Sequence, residues 1–535
     1  MDTALDLLKQ GKRREIWTRY CGFLDMDITQ YMAVQKSLLE EQLPRLRACE
    51  LGRAVMKGAA PKSLEEFRRT VPFTTYKDYE GTFAARREEC LPERPRVWVH
   101  TSGMSGEYDF KWVPYSRTMF DIMGDAAIGC LIIAAAKGRG DVRLRKGMRF
   151  PYTIAPPPYL SGITLDSLLK SFPFVMSPDF ETGRDMEFKQ RIQEALKSSL
   201  DGGLDFFFGV SSILMKISES FTHMDGNTSL LKLLSRPKTF LRLMQALVKS
   251  GLRGEPLQPR HLWKVKAILC GGMDTEVYRQ KVSDSWGAEP AEMYACTEFG
   301  MFSIQSWTRR GLTFFPNMDF LEFIAEKDYR ALVANPRFTP RSFTMDEVMP
   351  GAEYVLVGTN FHGGALVRYI IGDLVRVVSL EDQEAGIKLP QFTFVSRIDD
   401  VIDIGGFTRL TEKTIWLAIE NSRVPYEEWT VRKELRGDTP VLHLYLELKN
   451  GAGKETAIVA VIHDRLKELD TPYRELEEMT GLKPLVLTTL SKGTFQRYYE
   501  ERQASGADLA HLKPPHLNAS DSVIDNILRM SAWKI

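Results

Sequence analysis

Val265-Lys-Ala-Ile-Leu-Cys-Gly-Gly272 and Glu292-Met-Tyr-Ala-Cys-Thr-Glu298 decide the fold class. Each is an apolar run too short for a helix, and each stops on glycine or on small polar residues, as a buried strand does at its end. Asp205-Phe-Phe-Phe-Gly209 has the same form and leads into an amphipathic segment. Strands that alternate with helices and end on glycine-rich turns predict an α/β architecture, with ligands bound at the strand ends.

Toward the N-terminus the pattern turns helical. Apolar residues recur at helical spacing through Tyr31-Met-Ala-Val-Gln-Lys-Ser-Leu-Leu-Glu-Glu-Gln-Leu43, and Ser63 carries a helix-capping signal. Val97-Trp-Val-His100 is a short β-prone run that stops at a polar loop, Thr101-Ser-Gly-Met-Ser-Gly106. Beyond about residue 355 strands dominate, among them Tyr354 to Gly358, Leu374 to Val378 and Gln391 to Val395. A further set begins at Arg397-Ile-Asp-Asp400 and includes an alternating strand, Val441 to Leu448, and a helix, Lys454 to Leu469. The expected organisation is a large N-terminal domain, 1–397, with α/β and strand-rich parts, and a small α+β C-terminal domain, 398–535, hinged near Arg397.

Composition excludes several classes. The 535 residues are 44% hydrophobic and 26% charged, and 71 Lys and Arg against 70 Asp and Glu leave a net charge of +1. That balance gives no electrostatic reason to expect nucleic acid or an anionic membrane as partner. The run from Lys137 to Arg149 reads as a solvated loop, or else as a rim that meets an anionic substrate. Six scattered cysteines show neither a CxxC pair nor a Cys/His ligand spacing, which fits a reduced cytoplasm. The first ten residues hold acids where a secretory signal needs bases, and Ala126 to Ala136 is about half of what a membrane span needs, so it reads as a buried helix.

Three pieces carry chemistry. Thr101-Ser-Gly-Met-Ser-Gly-Glu107 follows a strand, and its small residues would let backbone N–H groups and hydroxyls approach phosphate oxygens; a plain polar turn has the same composition. Tyr294-Ala-Cys-Thr-Glu298 sets an aromatic ring, a hydroxyl and a carboxylate at a strand end, suited to a purine, a phosphate and Mg²⁺, or simply to a loop with one acid. Val367-Arg-Tyr-Ile-Ile-Gly-Asp373 ends an apolar strand on an acid that could accept two ribose hydroxyls, or sit in a turn.

Taken in order with Arg397-Ile-Asp-Asp400, these pieces resemble the adenylate-forming superfamily, and within it the Gretchen Hagen acyl-acid-amido synthetases. The family's Ser-Ser-Gly-Thr-Ser, Gly-Glu and Lys-x-x-Pro look like Thr101 to Glu107 and Lys111-Trp-Val-Pro114. Its Tyr-Ala-Ser-Ser-Glu looks like Tyr294 to Glu298, and its Tyr-Arg-Val-Gly-Asp looks like Tyr369-Ile-Ile-Gly-Asp373, followed by the shared Pro390-Gln-Phe-Thr-Phe394. Phe208-Gly-Val-Ser-Ser-Ile-Leu214, Leu262 to Met273, Lys492-Gly-Thr-Phe495 and Leu512-Lys-Pro-Pro-His516 echo other family segments. Met104 stands where the family has a threonine, and Ile370 where it has an arginine, although Arg368 lies two residues earlier.

The resemblance implies a large adenylate-forming domain and a small mobile one. It implies ATP and Mg²⁺ as cofactors, a carboxylic acid as substrate, aromatic acids among the candidates, and an amino acid as acceptor. ATP would be held by Thr101, Ser102, Gly103, Ser105, Gly106, Gly271, Gly272, Met273, Tyr294, Ala295, Cys296, Asp373, Arg397 and Arg409. Glu298 would hold Mg²⁺, Thr297 would face the α-phosphate, and Asp399 would be the hinge. Lys513, with Lys492 as rival, would supply the cation that lets carboxylate and phosphate approach. The acyl pocket would draw on Tyr152, Tyr159, Phe207, Phe208, Val210 and Ser211, a set that would serve equally as core. Two other readings stay open: an acyl-CoA ligase, favoured by Arg397 to Gly406, and a non-catalytic nucleotide or acyl binder, favoured by Met104.

Overall fold

The computed structural model describes residues 3–100, 111–222, 237–271, 275–398, 401–404, 408–436, 439–449, 454–480, 483–504 and 516–532. They fall into two compact units. One lies within Met1–Thr101, Phe110–Ile371 and Val375–Phe394; the other holds Gly372–Leu374 and Val395–Ile535, so the division runs inside two strands.

The first unit is built on a ten-stranded sheet. Its order is Ser342–Phe343, Asp319–Ala325, Glu353–Asn360, Tyr369–Ser379, Gln391–Arg397, Leu312–Phe314, Gly300–Gln305, Pro290–Cys296, Ala267–Gly271, Phe206–Gly209. The last three strands are parallel to one another, and Gly300–Gln305 returns antiparallel after a tight turn. The parallel strands are apolar on both faces because helices cover both. Phe207 packs with Trp286 (6.1 Å between ring centroids), whereas Phe206 and Phe208 face Phe150, as the two-residue period of a strand requires. Phe207 therefore belongs to the core and is withdrawn from the expected acyl pocket.

Helix Arg117–Ala135 crosses the middle of this unit. It is longer than its apolar run suggested, because Ser116 caps it at Met119 N and its first turns carry Arg117, Asp121 and Asp125. At 19 residues it could span a membrane by length and apolarity alone, but 78% of its most apolar window is buried in the protein. Its glycines permit that burial: a Cβ at Gly124 would lie 2.4 Å from Ser167 Oγ, and one at Gly129 would lie 2.4 Å from Tyr20 O. The long helix Ile28–Ala48, boxed at Asp27 and Gln30, sends one buried glutamine to the strand Asp319–Ala325 and another to the connection at Gly363–Gly364. Gln35 Nε2 donates to Asp319 O and Gln35 Oε1 accepts from Leu321 N; Gln42 does the same with Gly364 O and Gly363 N. Both amides are satisfied on each side, so their burial costs little.

The second unit holds a hairpin, Val401–Ile404 with Thr408–Thr411, and a three-stranded sheet. Tyr426–Arg436 pairs antiparallel with Thr439–Leu448, which pairs parallel with Leu485–Leu490. Leu442, Leu444, Leu446 and Leu448 face one core with helices Glu412–Asn421 and Glu455–Leu469. Tyr445 faces a second core beneath helices Thr494–Ala504 and Asp521–Ala532. Alternation along one strand thus serves two layers, and this unit is α+β.

Candidate active site

Three adjacent parallel strands end side by side. Gly209 pairs with Cys270 and Gly271 with Met293, so Val210 and Ser211, the strand end at Gly271, and the turn Thr297–Glu298 all lie at the carboxyl ends of neighbouring strands. In open α/β sheets ligands bind at such ends, where loops diverge and backbone groups face outward. A Cβ at Gly271 would lie 2.9 Å from Met293 Cε, so a side chain there would displace the end of that methionine.

The turn itself is held from behind by buried donors. Tyr115 Oη donates to Thr297 O at 2.9 Å, and Asn360 Nδ2 donates to Glu298 O at 3.0 Å. Burial, with Cys296, Asp319 and Glu298 nearby, pushes the Tyr115 hydroxyl well above its usual range, so it remains a donor. Asn360 also donates to Asp319 Oδ1 at 2.8 Å and accepts from Leu366 N at 3.0 Å. Asp319 is buried, which raises its carboxyl well above the usual range, the Asn360 bond opposing this. Burial therefore favours its protonated form. Both carbonyls are tied back, and the Glu298 side chain is half-buried, with Tyr369 Oη 3.4 Å from Oε1. Neither Tyr115, Asn360 nor Asp319 belongs to the sequence-derived site; their signal is a polar residue at the end of an otherwise buried strand.

Other expected residues take different places. The ring of Tyr294 is buried against Phe302 (4.6 Å), Phe394 (5.8 Å) and Phe314 (6.4 Å). Ala295 and Cys296 are half-buried beyond it, across a register shift in the pairing with Gly300–Gln305. Tyr152 is fully buried, stacked on Phe180 at 5.6 Å with the Arg191 guanidinium 5.0 Å over its ring; it is core here and not a pocket wall. Tyr159 meets His100 edge-on at 4.3 Å. Phe208 and Ser211 are buried, Ser211 Oγ lying 3.3 Å from Thr275 Oγ1, and Val210 is half-buried.

Arg368 does not stand in for the family arginine missing at Ile370. Its side chain is 3% exposed and grips Glu322, itself 0% exposed, through Nε to Oε2 (3.0 Å) and Nη2 to Oε1 (2.8 Å). The guanidinium also donates to Ser342 Oγ and to the Val71 and Arg68 carbonyls and lies 3.9 Å over Phe73. Every donor is spent inside the fold.

In the second unit Arg397 Nε lies 3.5 Å from Asp373 Oδ1, with Asp373 mostly buried and Arg397 half-exposed. Gly372, at φ +85°, and Asp373 lie inside the strand Tyr369–Ser379, not at its end as the sequence suggested. Lys492 is exposed just before helix Thr494–Ala504. Thr101, Ser102, Gly103, Ser105, Gly106, Gly272, Met273, Asp399 and Lys513 lie outside the described residues, as does the side chain of Arg409. Among the described residues no group of three or more His, Cys, Asp or Glu could hold a metal.

Comparison with known proteins agrees with this layout. Residues 22–191, 312–397 and 411–522 match, in order, the GH3 (Gretchen Hagen) family N-terminal, central and C-terminal domains. Jasmonoyl–L-amino acid synthetase GH3.5 of Oryza sativa subsp. japonica is 27% identical over 192 residues, 34% of this chain and 32% of that protein. Indole-3-acetic acid-amido synthetase GH3.10 of Arabidopsis thaliana is 23% identical over 228 residues, 39% and 36% of the two chains. The chain thus spans about a third of the length of the curated relatives it matches. The solved AtGH3.15 acyl acid amido synthetase, in complex with 2,4-DB, superposes with a TM-score of 0.68 at 16% identity over 99% of this chain and 97% of that one. A 2-hydroxyisobutyryl-CoA ligase in its postadenylation state gives 0.62 at 15%, over 94% and 92%. At these identities the likeness is one of fold, and the fold is that of adenylate-forming ligases.

Proposed function

This chain belongs to the GH3 family, and from that premise we propose that it uses ATP to activate a carboxylic acid as an acyl-adenylate and then passes the acyl group to the amine of an amino acid. The observation that carries the reading is the half-buried Glu298 carboxylate at a strand end, on a turn whose backbone is tied back, within a chain that matches all three family domains in order.

A carboxylate is a poor acyl donor because its leaving group would be oxide. In the first step a carboxylate oxygen attacks the α-phosphorus and pyrophosphate leaves. In the second the amine nitrogen attacks the acyl carbon, AMP departs with that oxygen, and the amine gives up a proton. Both steps depend on positioning and on offsetting charge rather than on a protein nucleophile. Glu298 is the carboxylate that would hold Mg²⁺, an ion that takes one or two protein carboxylates and completes its shell with phosphates and water. When bound it draws negative charge from the phosphate oxygens. Tyr115 and Asn360 hold the Thr297–Glu298 backbone still, so the carboxylate needs little reorganisation. Asp373 would accept the ribose hydroxyls, with Arg397 beside it. Thr101, Ser102 and Ser105 would cradle phosphates, and Lys513 would offset the two anions that must meet.

The decisive experiment is ATP–pyrophosphate exchange across a panel of aliphatic and aromatic acids, followed by addition of either amino acids or CoA. Acid-dependent exchange with amide formed on amino-acid addition supports the proposal. Thioester formed only with CoA would replace the acceptor, and exchange that no acid stimulates would remove the reading altogether.

A further inference from the structure

Helix Pro237–Arg253 has two apolar faces, only one of which is covered by the described residues. Thr239, Leu243, Ala246 and Ser250 recur at helical spacing and are buried, Leu243 and Ala246 in the core that also holds Trp263 and Trp286. On the other side Leu241, Met244, Leu247, Val248 and Leu252 are 59%, 41%, 50%, 56% and 84% exposed. At 100° per residue Leu241, Met244, Val248 and Leu252 form a single stripe, and Leu247 borders it. Along one edge of the stripe run Lys238, Lys249 and Arg253, and the helix holds no acid. Arg242 turns inward and donates to Ser199 O at 2.8 Å. Glu255, just past the helix, pairs with Arg260. A contiguous apolar stripe left in water beside a cationic edge marks an interaction surface.

We propose that this helix is a docking surface for an anionic lipid bilayer, with the stripe sunk among the upper acyl chains and Lys238, Lys249 and Arg253 among the head groups. The combination of a leucine-rich stripe with a lysine and arginine edge is that of a helix lying in the membrane interface. A second copy of the chain is the poorer fit. Pairing through this face would bury the stripe but bring together two helices that each carry four cations and no acid of their own, with Glu255 beyond each end acting on Arg253 as well as Arg260. The near-neutral charge of the whole chain does not oppose the proposal, because head-group attraction acts over roughly a Debye length, about 10 Å, and sees only the local patch.

The test is co-sedimentation of the full chain with phosphatidylcholine vesicles, with and without phosphatidylserine, at low and high salt, alongside light scattering of the protein alone. Binding should require phosphatidylserine and weaken with salt. Val248→Glu should lower partition about tenfold or more, and Lys238→Gln with Lys249→Gln about fivefold per charge removed, both variants keeping the wild-type circular dichroism and melting. The proposal is overturned if binding is absent or is equal on neutral vesicles. It is overturned too if folded Val248→Glu partitions as wild type does, or if the protein is a dimer that Val248→Glu dissociates.

Discussion

Replacing His516 by Gln should weaken the second unit in a way that depends on pH. The His516 ring stacks flat on Trp429, 4.3 Å between centroids and 11° from parallel. Its Nδ1 lies 2.6 Å from Glu412 Oε1 and its Nε2 3.0 Å from Glu428 Oε1, so the doubly protonated imidazolium donates to two carboxylates. The main chain continues the anchor: Val431 N donates to His516 O and Asn518 N to Val431 O. Burial disfavours the charge, but the bonds to Glu412 and Glu428 outweigh it and raise the imidazole from its ordinary 6.5 to about 9. At about 1.4 kcal/mol per pH unit that difference is worth roughly 3 kcal/mol. A base whose folded value is raised contributes in full below its unfolded value and loses the contribution as pH climbs through the folded one. The cost of His516→Gln should therefore be greatest at pH 6, shrink between 6.5 and 9, and retain only the lost stacking at pH 10. Urea unfolding followed by tryptophan fluorescence, for both proteins at the three pH values, measures this. Equal destabilisation at pH 6 and pH 10 would refute the imidazolium clamp.

Glu322→Ala strands the buried Arg368 guanidinium and should destabilise the first unit by about 3–5 kcal/mol; a loss under about 1 kcal/mol in denaturant titration would mean the pair is not the buried clamp described. Burial raises the Asp319 carboxyl in the fold above its unfolded value, so wild-type stability falls as pH rises from about 4 toward the raised folded value. Asp319→Asn should thus gain on wild type between pH 4 and pH 7, and a gap that stays constant across urea midpoints would contradict a raised Asp319. Glu298→Gln should cut acid-dependent pyrophosphate exchange roughly a hundredfold or more with an unchanged melting temperature; retained exchange would dismiss Glu298 as the magnesium ligand. Lys513→Ala should abolish exchange yet spare transfer from a pre-made acyl-adenylate, and loss of both halves would refute a role confined to the first step.

What the chain reveals in one dimension is what short-range physics controls. The cap at Ser63, the strands around Ala267–Gly271 and Gln391–Arg397, and the helix Glu455–Leu469 follow from periodicity and capping within a dozen residues. So does the position of Glu298 at a strand end, because the run from Glu292 must stop where its apolar residues stop. Tertiary structure alone decides which way a side chain of ambiguous type faces. Tyr294 and Tyr152 have the composition of pocket walls, yet neighbours distant in sequence enclose both rings. Arg368 finds Glu322 46 residues away and Asn360 finds Asp319 41 residues away, pairings that no local pattern encodes. A buried charge or amide is tolerated only where the assembled fold supplies its partner, and that partner exists only after the strands have come together.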